Sequence, residues 1–226
     1  HMEGLDVAFL AQMSARVART QSGEWAVSAD MRRVLLRWLL QVGRKFQLMQ
    51  ETLHICAQIV DYVLVCEPAR ISKANFQLLG IAALFVASKY NEIHTWEAEK
   101  YVFVCDGLYS VEQLFEMEGV ILTVTSFNLQ FPTIQQFAGV ALQQHSRLAE
   151  AVAMLSNLAL FDFSLFNRFQ KKHLACVILY LALKIESPQQ VRSRDVMEAS
   201  NIPEEVFREC SSMLLALYQD RERIHP

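Results

Sequence analysis

Four charged side chains stand within apolar segments of this sequence. Arg32 and Asp61 are flanked by apolar residues, Lys89 ends the most hydrophobic segment of the chain, and Glu118 follows Met117. A buried charge costs free energy unless a partner of opposite sign satisfies it. The pattern therefore indicates internal ion pairs, charges that reach water through long side chains, or charges at the border of a surface that a partner covers.

Residues suited to catalysis or metal binding do not form a recognisable set. The sequence contains no Gly-rich phosphate loop, no GxSxG motif and no HExxH motif. His54 and Cys56, two residues apart, would point to different faces of a helix and cannot hold a metal alone. We interpret the histidines as structural and expect no metal, no cofactor and no enzyme activity. An enzyme assembled from distant residues is the last of the alternatives.

The composition is typical of a helical protein with a substantial core. With 226 residues, 53% of them hydrophobic, the chain can bury a large core, which excludes intrinsic disorder. Only 7 Gly and 5 Pro argue against a turn-rich β-sandwich or barrel. A net charge of −3 argues against binding driven by nucleic-acid phosphates.

The cysteines predict a reducing compartment. There are five, an odd number without a CxxC pair, and they lie in apolar segments where cysteine acts as a small hydrophobic residue. We therefore expect a nuclear or cytoplasmic protein. The longest uncharged apolar segment, 174–183, is about half the ~20 residues needed to cross a bilayer, and we expect a buried helix there.

Helical spacing of apolar residues dominates the chain. Val7, Leu10 and Val17 predict a short N-terminal helix, preceded by His1 and Met2, which resemble a cloning remnant. Two sets of five helices follow. They cover about 31–44, 51–65, 72–91, 95–104 and 110–124, then 133–144, 147–162, 168–186, 193–200 and 203–220.

The two sets share a sequence signal in their third helices. The segment 79–89 aligns without gaps onto 174–184, a shift of 95 residues, with four identical positions that include Lys89 and Lys184. This match and the common helix order predict an all-α fold built from a duplicated five-helix unit. The predicted domains are 1–28 for the N-terminal helix, 29–130 for the first unit and 131–226 for the second.

Several motifs resemble the cyclin family. The segment 31–42, MRRVLLRWLLQV, resembles the opening of a cyclin box, and further matches follow in order through 51–54, 77–93, 117–118 and 126–133. The five positions regarded as the signature of the box appear as Arg32, Asp61, Leu78, Lys89 and Glu118. The similarity is greatest to mitotic A/B-type cyclins and is strong over 31–133.

This resemblance implies two five-helix cyclin boxes and a regulatory subunit of a cyclin-dependent protein kinase, which holds the C-helix and activation loop of the kinase in active positions. Lys89 and Glu118 would contact the kinase, and Arg32 and Asp61 would form an internal ion pair. The apolar part of the kinase contact would comprise Val86, Tyr90, Leu122, Phe127 and Leu129.

A second implied site is the hydrophobic patch by which some cyclins recruit RxL-type substrates or inhibitors. Here it would comprise Met31, Val34, Leu35, Trp38 and Gln77. Arg37 and Gln41 stand where A-type cyclins carry acidic residues, and Asp106 offers one carboxylate at the rim. The cationic Arg37 would repel a basic docking peptide, which predicts an altered specificity.

Two other functions compete with a kinase regulator. A cyclin-fold transcription factor would present a basic surface, whereas this chain is net acidic. A kinase-independent scaffold with a degenerate box would lack signature residues, whereas all five are present. We therefore expect a protein kinase as partner, and neither nucleic acid nor a membrane.

Overall fold

The computed structural model describes residues 27–144, 146–187 and 192–220, and the prediction of an all-α fold is confirmed within them. The predicted N-terminal helix with Val7, Leu10 and Val17 lies outside these ranges. The chain divides into two compact units between Phe131 and Pro132. No helix in the described ranges combines the length and the apolar character that crossing a membrane requires.

Over residues 27–131, the part of it that the structure describes, the first unit contains five α-helices and a short 3₁₀ helix. They are α1 (Ala29–Lys45), α2 (Gln50–Cys66), the 3₁₀ helix (Pro68–Arg70), α3 (Phe76–Asn91), α4 (Ala98–Phe103) and α5 (Val111–Val124). Helix α3 is the centre of the unit, since residues 78–88 are all buried and the helix contacts the other four. Helix α1 approaches it closely at Gly80, where a Cβ atom would lie 2.7 Å from Cδ1 of Leu35.

Local hydrogen bonds explain where these helices begin. Ser28 caps α1, as its Oγ accepts a hydrogen bond from the Met31 amide at 3.2 Å. Ser110 and Gln113 form a capping box at the start of α5, where the sequence predicts that a helix begins. Helix α3 begins four residues later than predicted, because Oδ1 of Asn75 accepts from the Ser72 amide at 2.7 Å and forms a turn in place of a helical one.

The second unit contains six α-helices among its described residues. They are α6 (Ile134–Gln144), a 3₁₀ helix (Ser146–Leu148), α7 (Ala149–Phe161), α8 (Phe163–Arg168), α9 (Lys171–Glu186), α10 (Ser193–Ser200) and α11 (Glu204–Gln219). Helix α9 is the central one and contacts α6, α7, α10 and α11. The short helix α8 is additional to the predicted set. Asp162 caps it by accepting from the Leu165 amide at 2.7 Å, and extended residues at 169–170 separate it from α9.

The central helices of the two units repeat one another. Both α3 and α9 have 16 residues, and their first residues are 95 positions apart, as in the alignment of the sequence with itself. Lys89 lies 4.1 Å from the centre of the Phe85 ring, and Lys184 lies 5.9 Å from the ring of Tyr180, the corresponding aromatic residue.

Candidate functional site

Arg32 and Asp61 join α1 to α2 inside the first unit. Nε of Arg32 donates to Oδ1 of Asp61 at 2.6 Å, and Nη2 donates to Oδ2 at 2.7 Å, with the two residues 2% and 1% exposed. This bidentate arrangement satisfies both charges and fixes their orientation. The pair therefore orders the first two helices and presents no group to a partner.

Lys89 and Glu118 form a second ion pair, which reaches the surface. Lys89, in the last turn of α3, donates to Oε1 of Glu118 on α5, and the two side chains are 40% and 14% exposed. The Lys89 ammonium also lies above the face of the buried Phe85 ring, where its charge interacts with the π-electrons. The structure thus brings together the two charged residues assigned to the kinase contact.

The predicted apolar contact residues differ in their exposure. Phe127 is 75% exposed and Tyr90 is about half exposed, whereas Leu122 and Leu129 are partly buried. Val86 is only 2% exposed, since it belongs to the fully buried part of α3. In this chain Val86 is a core residue and contributes to any surface only by supporting it.

Phe127 is presented by an unusual turn directly after α5. Ser126 and Phe127 have φ angles of 51° and 58°, in the left-handed region that residues other than glycine rarely adopt. The Phe127 amide donates to the Leu122 carbonyl at 2.8 Å and closes this turn. Such strain is typical of functional sites, and here it directs a large aromatic side chain into solvent.

Two further exposed apolar side chains, on or next to the helices that carry the ion pair, were not predicted. Ile93, just beyond the end of α3, is the most exposed large apolar residue described, and Phe115 on α5 is half exposed with its ring 6.2 Å from that of Phe85. Their apolar character was visible in the sequence, but periodicity does not separate an exposed apolar residue from a core one. We call Lys89, Glu118, Tyr90, Ile93, Phe115 and Phe127 the Lys89 surface.

The second unit does not repeat this ion pair at the level of sequence. Glu118 is the eighth residue of α5, and the eighth residue of α11 is Ser211. The 95-residue shift that aligns α3 with α9 instead pairs Glu118 with Met213. Neither way of matching the two last helices gives a carboxylate in place of Glu118.

The residues assigned to the docking patch are divided between the surface and the core. Val34 is well exposed, and Met31, Trp38 and Gln77 are partly buried. Leu35 is buried against Gly80 of α3 and so belongs to the core. The accessible part of the patch is therefore narrower than the sequence suggested.

Two of the buried cysteine thiols are unsuited to nucleophilic chemistry. Burial raises the pKa of Cys105 to about 11 and that of Cys210 to about 12, so both thiols stay protonated at neutral pH. Cys66 is exposed and Cys176 is partly exposed, although the sequence places them in apolar segments. Over the described residues, no group of three or more His, Cys, Asp or Glu side chains could hold a metal ion.

Comparison with known proteins identifies the family. The family model of the cyclin N-terminal domain matches residues 9–130. The chain is 31% identical to Cyclin-A2 of Xenopus laevis over 85% of this chain and 46% of that protein. It is 35% identical to G2/mitotic-specific cyclin-B1 of Oryzias latipes over 70% of this chain and 39% of that protein. It thus spans less than half the length of these curated relatives.

The fold has a close counterpart among solved structures. The X-ray structure of a viral cyclin from herpesvirus saimiri matches with a TM-score of 0.76 over 86% of each chain, at 15% identity. That similarity supports the fold, and the family match over more than half of the sequence supports the relationship. The chain belongs to the cyclin family.

Proposed function

We propose that this chain is a regulatory subunit, without enzyme activity of its own, that binds and activates a cyclin-dependent protein kinase through the Lys89 surface. The observation that carries the proposal is the Lys89–Glu118 ion pair at the surface. The exposed or half-exposed aromatic residues Tyr90 and Phe115 lie on the same two helices, and Phe127 lies in the turn that follows α5. Exposed aromatic residues around charged groups that become desolvated are typical of the energetic centre of a protein interface.

The chemistry of the ion pair suits the recognition of a backbone. An ammonium group has three donors and a carboxylate has about four acceptor positions, so each keeps capacity after the two bind one another. Lys89 would donate to carbonyl groups of the kinase and Glu118 would accept from its N–H groups. Because both side chains are already oriented by one another and by Phe85, little side-chain entropy is lost on binding.

Activation follows if the surface binds the active kinase conformation more tightly. In protein kinases a strand lysine must pair with a glutamate of the C-helix before ATP is positioned for transfer. A subunit that favours this arrangement shifts the population toward it. Moving the equilibrium from about 1:99 to about 99:1 requires a preference of roughly 5.5 kcal/mol, which an interface of ordinary size can supply.

The proposal is tested by a pull-down against a panel of cyclin-dependent kinases, followed by a histone-kinase assay of each one retained. We expect at least one kinase to bind and its activity to rise. Binding without stimulation would contradict activation and favour an inhibitory or scaffold role. A well-folded chain that binds no kinase would contradict the proposal as a whole.

We also propose a nuclear or cytoplasmic location and a role for the patch on α1 in recruiting substrates or inhibitors. All five cysteines are free thiols, which suits a reducing compartment. On α1, Val34 projects into solvent between Met31 and Trp38, and a short apolar segment of a partner would cover these side chains. A partner segment that binds there would lie next to the positive charge of Arg37.

The charge next to the patch is expected to decide which peptides bind. Gln41 is exposed on α1, so Gln41→Glu should raise the affinity for a basic RxL peptide about 2- to 5-fold, because opposite charges at an exposed site contribute up to ~1 kcal/mol. Gln41→Lys is the matched control and should lower it. Fluorescence titration measures both. Equal affinities of the two variants would show that this charge does not decide binding. Submicromolar binding by the unmodified chain would contradict the altered specificity expected from Arg37.

A further inference from the structure

The helix α2 is capped by a residue that comes from the end of α3. Met49, at the N-cap position of α2, has no side-chain oxygen and makes no side-chain cap. Instead Oε1 of Glu92 accepts from the Met49 amide at 2.7 Å and from the Thr52 hydroxyl at 2.5 Å. A carboxylate in this place also interacts favourably with the positive end of the helix dipole.

Neighbouring contacts extend this cap into a network at the end of α3. Nδ2 of Asn91 donates to Oγ1 of the buried Thr52 at 2.9 Å. One turn earlier, the buried hydroxyl of Ser88 lies 2.7 Å from the Tyr101 hydroxyl of α4. The last turn of α3 is therefore held from two sides, by α4 and by the start of α2.

Lys89 and Tyr90 lie between these two attachments. Ser88 precedes them, and Asn91 and Glu92 follow them, so all five residues lie within little more than one helical turn. A side chain is only as well placed as the backbone that carries it, and a shift of about 1 Å is enough to lose an oriented contact. Ile93 directly follows Glu92, the C-cap residue of α3, so the position of its backbone also depends on where Glu92 is held.

We propose that Glu92 is a positioning residue for kinase recognition: by capping α2 from the end of α3, it holds the turn that presents Lys89, Tyr90 and Ile93. This inference rests on the proposed function of the Lys89 surface. Glu92 acts through the backbone of that turn, and its side chain is directed to Met49 and Thr52.

The test compares Glu92→Ala with the conservative Glu92→Gln. Alanine removes the acceptor, and kinase affinity measured well below the unfolding temperature is expected to fall about 5- to 30-fold. Glutamine keeps an oxygen at the same place and should restore most of that loss. Glu67→Ala is the matched control, because the partly exposed Glu67 carboxylate pairs with the neighbouring Arg70 in its own turn and caps no other helix there.

Hydrogen exchange of the free chain gives a readout that needs no kinase. Glu92→Ala should raise the exchange rates of the amides at 89–93 at least several-fold, while those in the middle of α3 stay protected. A double-mutant cycle with Lys89→Ala should be non-additive, since both changes act on the same contact. Full kinase affinity of Glu92→Ala, or unchanged exchange at 89–93, would overturn the inference. If the unmodified chain bound no kinase, the proposed function would fail, and the exchange data would still decide the role of Glu92.

Discussion

Replacing Lys89 with alanine is expected to weaken kinase binding by about 30- to 1000-fold, which corresponds to roughly 2–4 kcal/mol. The loss is large because binding would remove Glu118 from water, and its carboxylate would then be buried without the ammonium group that satisfies it. The same substitution should leave the free chain nearly as stable, by within ~1 kcal/mol, because in the free chain the pair is still partly exposed to water.

The second unit provides a matched control for this prediction. Lys184 stands at the corresponding position of α9 beside Tyr180, so Lys184→Ala removes the same group from the same kind of helix end. We expect it to leave kinase affinity unchanged. Glu118→Ala should resemble Lys89→Ala, and the double variant should lose less than the sum of the two. Affinities come from calorimetry and stabilities from thermal unfolding. Equal losses for Lys89→Ala and Lys184→Ala would refute the assignment of the surface.

Replacing Arg32 with alanine is expected to lower the free energy of unfolding by about 3–5 kcal/mol. In the unmodified chain the guanidinium group of Arg32 binds both carboxylate oxygens of Asp61. Without it, the negative charge of Asp61 would remain in the core uncompensated. A typical domain has only about 5–15 kcal/mol of stability in total, so the variant should unfold at a much lower temperature. Asp61→Ala should be comparably destabilising, because it leaves the buried Arg32 charge behind.

The adjacent residue serves as the control. Arg33 also forms an ion pair, with Asp30 at 2.9 Å, but the Asp30 side chain is largely exposed and that of Arg33 is partly exposed, so Arg33→Ala should cost at most about 0.5 kcal/mol. The double variant Arg32→Met/Asp61→Leu should recover much of the stability lost by either single change, since an apolar pair avoids the desolvation of two charges. Denaturant unfolding of the four variants measures this. A similar stability of Arg32→Ala and Arg33→Ala would show that the buried pair contributes little.

Much of the helical framework was predictable because its causes are local. The apolar spacing indicated the helices of both units, and the match between 79–89 and 174–184 anticipated that α3 and α9 start 95 residues apart. The cap at Ser110 was predictable for the same reason, as a serine three residues before Gln113 forms the box within its own turn. The late start of α3 and the extra helix α8 depend on side-chain turns at Asn75 and Asp162, which compete weakly with helix formation and are hard to weigh from sequence.

The candidate site was predictable in its charged residues and less so in its apolar ones. A single charged residue in an apolar segment is unusual, because burying an unpaired charge costs free energy. The sequence alone therefore distinguishes Arg32, Asp61, Lys89 and Glu118 from their neighbours. An apolar residue carries no such signal, because most apolar side chains lie in the core and many surface positions are apolar as well. Val86 therefore could not be separated from the other apolar contact residues by type alone, although it is buried and Phe127 is largely exposed.

The sequence by itself determined the helical framework, its duplication, the cyclin-box motif and the charged residues of the candidate site. These are properties of short segments, in which the periodicity and the side-chain chemistry act within a few residues. Only the tertiary structure decided which helix faces are covered, that Lys89 meets Glu118, and that Glu92 caps a helix whose own N-cap residue cannot. Those outcomes join residues 29 to 43 positions apart, and such distances are set by how the helices pack, which no local pattern records.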